Sequence, residues 1–168
     1  MRRVVARSER GYTLLELIIA IALILIVTAI GFPLYLSFSR AQETDGAARE
    51  LRIALNQARQ LAITRNTSYS VQLQSQNQLR FVCAGGPSCP AGTVWTGAGT
   101  DGSGWMKMDN SARIVLFPTA ITFSALGAAT VTPSPGRLRV QNASGTSSLD
   151  VCVNPSGGTR IMAPGSCP

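Results

Sequence analysis

The sequence contains no histidine, one lysine (Lys107) and little charge of either sign, since only 14% of its 168 residues are charged. Without histidine, Ser-His-Asp and Cys-His catalytic sites and histidine-ligated metal sites are excluded. A hydrophobic content of 45% is too high for a disordered chain, and the low charge is unusual for a soluble enzyme. We therefore expect a non-enzymatic protein of about one domain, without a bound metal or other cofactor.

A long apolar run follows a basic N-terminus. Between Leu14 and Leu36 the only charged residue is Glu16, and the run reaches the ~20 residues that cross a ~30 Å hydrocarbon core. Four arginines lie in the first ten residues, which predicts a cytoplasmic N-terminus with the rest of the chain outside the inner membrane. A cleaved secretory signal is disfavoured, because the run is long and no A-x-A pattern follows it.

A short motif, Gly11-Tyr-Thr-Leu-Leu-Glu16, stands directly before the apolar run. An ionised carboxylate at a bilayer edge costs several kcal/mol unless it is paired, so Glu16 indicates a function. Together with the basic leader and the apolar helix, the motif resembles the N-terminus of the type IV pilin superfamily. The family motif is G-F-T-L-x-E, and this chain has Tyr12 where phenylalanine is usual.

The resemblance implies specific roles for these residues. A prepilin peptidase is expected to remove residues 1–11 by cutting after Gly11 and to methylate the new amino group of Tyr12. Glu16 is expected to neutralise the Tyr12 amino group of a neighbouring subunit in a fibre, a pairing that a low dielectric strengthens. The alternative for Glu16 is a carboxylate that snorkels to the lipid headgroups.

The apolar run continues into a longer helix. We expect a transmembrane half over residues 12–36 and an amphipathic half over residues 37–66. Apolar residues recur at helical spacing in the second half, namely Ala47, Leu51, Ala54, Leu55, Ala58, Leu61 and Ala62. Gly31 and Pro33 predict a kink. The resemblance to pilins implies, as the other interpretation, a point where the helix unwinds on assembly. The arginines of the amphipathic half are expected to be solvated.

After residue 66 the hydrophobic period changes to two, which predicts a β-rich head over residues 67–168. A hairpin is expected from strands at 69–73 and 79–83. Further strand candidates are 94–95, 105–108, 113–117, 120–124, 137–140 and 149–153. The predicted fold is α+β: a pilin fold with one long N-terminal helix packed on a mainly antiparallel head. The G-x-G-x-x-G match at 97–102 is interpreted as a surface loop, because no helix follows it.

The four cysteines, Cys83, Cys89, Cys152 and Cys167, allow three disulfide pairings. A head outside the inner membrane lies in an oxidising compartment, which favours disulfides. Pairing each cysteine with its nearest neighbour, Cys83–Cys89 and Cys152–Cys167, is the simplest arrangement. The alternative is a zinc site, although the C-x-x-C spacing usual in such sites is missing.

The head is similar to the GspH/FimT branch of minor pilins and pseudopilins, with FimU-like C-terminal cysteines. The similarity is carried by residues 47–65, 104–109, 121–127 and 151–160. It implies four kinds of partner: major and minor pilins or pseudopilins, the prepilin peptidase, an inner-membrane assembly platform and, before assembly, membrane lipid. The favoured function is a minor pilin that helps initiate or cap a type IV pilus. The alternatives are an H-type pseudopilin of type II secretion and a DNA-capturing pilin for natural transformation.

The DNA alternative depends on three arginines. FimT-like pilins that capture DNA have a C-terminal G-R-x-R motif, where this chain has Gly-Gly-Thr-Arg160. A complete motif occurs earlier, at Gly136-Arg-Leu-Arg139, and on a strand Arg137 and Arg139 share one face. With Arg160 they could form a small basic patch that contacts phosphates. The favoured interpretation is a solvated edge strand whose charges discourage aggregation.

Overall fold

A computed structural model describes residues 12–108, 112–134 and 136–168 of the chain. It contains one long helix, α1 (Leu14–Thr64), followed by nine strands. The strands are β1 (Ser68–Ser75), β2 (Gln78–Gly85), β3 (Met106–Lys107), β4 (Arg113–Leu116), β5 (Ala120–Phe123), β6 (Ala129–Thr132), β7 (Gly136–Gln141), β8 (Ser148–Val153) and β9 (Thr159–Met162). The chain divides into two compact units at the Phe38–Ser39 boundary.

The ends of α1 are set by local hydrogen bonds. At the start, the Glu16 N–H donates to the Thr13 hydroxyl at 3.2 Å, so Thr13 acts as the N-cap. At the end, Asn66 adopts a positive φ of 47°, and the Thr67 N–H donates to the Ala62 carbonyl at 3.0 Å. These are the features of a Schellman C-cap, in which asparagine replaces the more common glycine. The helix therefore stops just before β1.

The strands form two antiparallel sheets. One has the order β3-β2-β1-β5-β6 and the other the order β4-β7-β8-β9. The predicted hairpin is confirmed as β1 and β2, with Val71 opposite Phe81. β6 and β9 were not predicted from the sequence, and the strand predicted at 94–95 is reduced to an isolated bridge between Val94 and Val82. The prediction that residues 137–140 form an edge strand is wrong, because β7 pairs with β4 on one side and β8 on the other.

The hydrophobic core lies entirely within residues 39–168. One face of α1 is buried there by small and branched side chains: Ala47, Ala48, Leu51, Ala54, Leu55, Ala58 and Ala62. Alternate residues of both sheets meet that face, among them Phe81, Phe123, Leu138 and Val151. In contrast, residues 12–38 are all exposed. The core of the second unit therefore does not depend on residues 12–38, and we expect residues 39–168 to fold on their own.

Candidate functional site

The first candidate site is the start of α1. Gly11 lies outside the described residues, whereas Tyr12 is 85% exposed and Thr13 caps the helix. The T-x-x-E spacing of Thr13 and Glu16 is that of a capping box, but only the bond from the Glu16 N–H to Thr13 is present. Among the described residues, the Glu16 carboxylate has no partner. Sequence analysis assigned Glu16 a role and overlooked Thr13, although the T-x-x-E spacing signals such a cap.

The helix surface after Glu16 is apolar and uncovered. Over residues 17–30 its large aliphatic side chains are all exposed, from Leu17 to Ile30. By length and composition this helix is long and apolar enough to cross a membrane. The Thr28 hydroxyl donates to the carbonyls of Ile24 and Leu25, so its donor is satisfied within the helix. This segment suits a hydrocarbon environment or the apolar surfaces of neighbouring subunits.

Gly31 and Pro33 lie within the continuous helix. Pro33 has no N–H to donate to the carbonyl four residues earlier, and a Cβ on Gly31 would meet no atom within 4 Å. The α-helix runs through both residues without a break. The expected kink or unwinding at this point therefore remains a prediction.

In the second unit, Arg59 joins α1 to both sheets. Its Nε donates to the Gly127 carbonyl at 2.9 Å, and its Nη2 donates to the Ser156 carbonyl at 3.2 Å. These carbonyls belong to the β5–β6 and β8–β9 turns, so one guanidinium fixes a turn from each sheet. A Cβ on Gly157 would collide with the Gly127 carbonyl, which explains the glycine there. The prediction that the helix arginines are solvated is therefore wrong for Arg59.

All four cysteines are paired. The structure joins Cys83 to Cys89 and Cys152 to Cys167, the nearest-neighbour arrangement that the sequence favours. The first disulfide closes the loop after β2. The second fixes the C-terminal segment to β8, one residue before the chain ends. This arrangement leaves no thiolate for the alternative zinc site.

The second candidate site is the row of arginines on the β4-β7-β8-β9 sheet. Arg137 lies opposite Cys152, which in turn lies opposite Arg160 on the next strand. The three predicted arginines therefore share one face of the sheet: the spacing of Arg137 and Arg139 predicted this for those two, and the pairing of β8 with β9 adds Arg160. However, Arg139 forms a bidentate ion pair with Asp150, with contacts of 2.7 and 3.0 Å. Asp150 thus neutralises part of the expected basic patch.

Asp150 is fully buried and holds this region together. Besides Arg139, it accepts a hydrogen bond from the Gly165 N–H at 2.6 Å, and its second oxygen lies 3.9 Å from the Arg137 Nε. Burial raises the pKa of Asp150, but the hydrogen bonds from Arg139 and Gly165 and the two nearby guanidinium charges outweigh it, so the pKa lies below its usual value. The same pair raises the pKa of Arg139. The role of Asp150 was not predicted from the sequence, because its partner Arg139 is 11 positions away and reaches it only through the pairing of β7 with β8.

An exposed apolar helix behind a prepilin-type motif, followed by an antiparallel β head, defines a type IV pilin-like protein. The profile of the family described as type II transport protein GspH matches residues 47–157, and that of the prokaryotic N-terminal methylation motif matches residues 6–32. Because the first match covers more than half of the sequence, the chain belongs to the GspH family. A comparison with curated proteins gave no match.

Two kinds of solved structure are similar to this chain, and the first of them shares its fold. The minor pseudopilin EpsH from the type 2 secretion system of Vibrio cholerae has a TM-score of 0.53 at 16% identity, over 74% of this chain and 99% of that chain. The type IV minor pilin FimU of Pseudomonas aeruginosa strain PAO1 has a TM-score of 0.48 at 20% identity, over 78% and 99% of the two chains. The likeness to EpsH confirms the predicted pilin fold. The protein is a non-enzymatic, pilin-like member of the GspH family.

Proposed function

We propose that this protein is a minor pilin that helps initiate or cap the assembly of a type IV pilus. The observation that carries the proposal is the start of α1, where Glu16 precedes a fully exposed apolar surface and has no partner among the described residues. Lipid tails can cover the apolar surface before assembly, but hydrocarbon offers no counter-charge to Glu16. The Tyr12 amino group of a neighbouring subunit supplies that charge once the leader is removed.

The proposal includes a path through the inner membrane. The prepilin peptidase cuts after Gly11 on the cytoplasmic side and methylates Tyr12, and the apolar helix then remains in the bilayer with the head in the periplasm. The dense N-terminal arginines support this orientation. The assembly platform then transfers the subunit from lipid into a fibre of major and minor pilins.

A second candidate is the H-type minor pseudopilin of a type II secretion system. The description of the matching family, type II transport protein GspH, favours this role. The C-terminal pair Cys152–Cys167 favours the pilus instead, since it resembles the cysteines of FimU and FimT. We do not propose DNA capture, because Asp150 neutralises Arg139 within the motif that suggested it.

A deletion strain of the host distinguishes the two roles. If the protein is a minor pilin, deletion should reduce surface pili while protein secretion stays normal, and the wild-type gene should restore the pili. A gene encoding Gly11→Val should not restore them, because its leader is retained. Normal piliation with a loss of secreted proteins would instead establish the pseudopilin role.

A further inference from the structure

A small cavity opens next to Arg137 at one end of the β5–β6 hairpin. Its volume is about 270 Å³, and its lining is mostly apolar: Leu116, Phe117, Pro118, Pro133, Ser134 and Arg137. Leu116, at the end of β4, is 39% exposed and presents part of this apolar lining to solvent. The cavity is large enough for one aliphatic side chain, and two prolines restrict its walls. It is therefore a preformed apolar recess on the head.

Arg137 brings an incompletely paired positive charge to this recess. The two oxygens of Asp150 are used by Arg139 and by the Gly165 N–H, and Arg137 approaches the same carboxylate only at 3.9 Å through its Nε. The Arg137 side chain donates no hydrogen bond to any residue that the structure describes. The Arg137 side chain is 38% exposed, so its terminal N–H groups are available to an incoming anion.

We propose that this recess is a docking site for a neighbouring subunit in the fibre, which inserts an aliphatic side chain and pairs an adjacent Asp or Glu carboxylate with Arg137. The apolar wall of the recess favours the aliphatic side chain, and the Arg137 guanidinium favours the carboxylate. The inference rests on the proposed function, because it names the contact through which the head recognises a partner.

The first test uses the head fragment 39–168, which contains the whole core, and two short peptides. Acetyl-Leu-Asp-amide carries both required groups, and acetyl-Leu-Asn-amide has the same shape without the charge. In an NMR titration we expect the Asp peptide to bind in the millimolar range and to shift the signals of residues 116, 134 and 137. The Asn peptide should bind about three- to tenfold more weakly.

Matched variants locate the binding. Arg137→Gln should reduce the affinity for the Asp peptide to that for the Asn peptide, whereas Arg160→Gln removes an exposed arginine of the same face and should leave the affinity unchanged. Ser134→Tyr should fill the recess and leave Arg137 in place. This variant should therefore bind both peptides more weakly than the wild type does. Equal affinities of the wild-type head for the two peptides would overturn the proposal. So would an equal loss of affinity for the Asp peptide in Arg137→Gln and Arg160→Gln, and so would the absence of binding up to about 10 mM peptide.

The second test uses the full chain in cells, with the mature protein measured in sheared fibres. Arg137→Gln should enter fibres several-fold less than Arg160→Gln, at equal amounts in the membrane. Equal recovery of both variants at the wild-type level would overturn the docking site and leave the proposed function intact. If the wild-type protein itself were absent from fibres, the proposed function would fail, and the peptide titration would still decide whether the recess binds carboxylates.

Discussion

The substitution Asp150→Asn tests how the head holds its C-terminal segment. Asp150 is fully buried and accepts two hydrogen bonds from Arg139 and one from the Gly165 N–H. Asparagine has the same shape but carries no charge and presents an NH₂ group where a carboxylate oxygen stood. At least one donor, from Arg139 or Gly165, therefore faces another donor and loses its acceptor.

The expected cost follows from these contacts. A hydrogen bond to a charged group contributes about 1.5–3 kcal/mol, and a buried polar group left without a partner costs about 1–3 kcal/mol. The Arg139 side chain is 31% exposed, so water replaces part of what it loses, and the lower ends of these ranges apply. We expect a loss of about 2–4 kcal/mol in the free energy of unfolding at pH 7, or roughly 6–15 °C in Tm for a domain of this size.

The pH dependence has a definite sign. Because the pKa of Asp150 is lower in the folded head than in the unfolded chain, its contribution to stability is fully present above the unfolded pKa of about 3.9. The contribution is lost as the pH falls through the folded pKa. The difference in unfolding free energy between the wild type and Asp150→Asn should therefore be constant from pH 7 to about 5 and shrink below about pH 4.

Urea unfolding of residues 39–168 at several pH values provides the measurement. Asp45→Asn is the matched control, since Asp45 forms only a partly exposed pair with Arg49 at 2.9 Å and should change stability by no more than about 0.5 kcal/mol. A loss below about 1 kcal/mol for Asp150→Asn at pH 7 would refute the reasoning. So would a difference from the wild type that is as large well below pH 4 as it is at pH 7.

Three further predictions concern processing, the disulfides and the helix–head contact. Gly11→Val should leave the leader attached, which a shift in the mass of the protein from cells reveals, and a mature-sized product would contradict the assigned cleavage site. Peptide mapping without reduction should recover Cys83–Cys89 and Cys152–Cys167 peptides, and a Cys83–Cys152 peptide would show that the pairing is wrong. Arg59→Met should destabilise the head by about 1–3 kcal/mol because two turn carbonyls lose their donor, whereas equal stability of Arg59→Met and the exposed control Arg52→Met would argue against that role.

Features encoded by neighbouring residues could be predicted from the sequence. The motif around Glu16, the apolar run, the 3.6-residue period through Leu51 and Leu55, and the alternation around Val71 and Phe81 each depend on short stretches of chain. Local spacing is sufficient for these elements because hydrophobic periodicity follows directly from helix and strand geometry.

Features that depend on distant residues could not be predicted in this way. The pair Arg139–Asp150 exists because β7 and β8 pair in one particular register, and the sequence contains no signal for that register. The contact between Arg59 and Gly127 joins residues 68 positions apart. The recess next to Arg137 forms only because the chain segments at the ends of β4 and β6 lie beside Arg137 in the folded head. Arg137 and Arg139 are equivalent in the sequence motif, but strand pairing gives them different surroundings. Arg139 forms a close ion pair with Asp150, whereas Arg137 lies beside the recess.

The most direct test of the central claim, that Glu16 pairs with a neighbouring subunit in a fibre, is the amount of mature Glu16→Gln protein in sheared fibres. Glutamine retains the side-chain size and is accepted in a capping box with Thr13, but it removes the charge that the Tyr12 amino group requires. Insertion should not suffer, since the variant helix is less polar. We predict wild-type amounts in the membrane and a several-fold decrease in the fibres, normalised to the major pilin. Wild-type amounts of Glu16→Gln in the fibres would contradict the account.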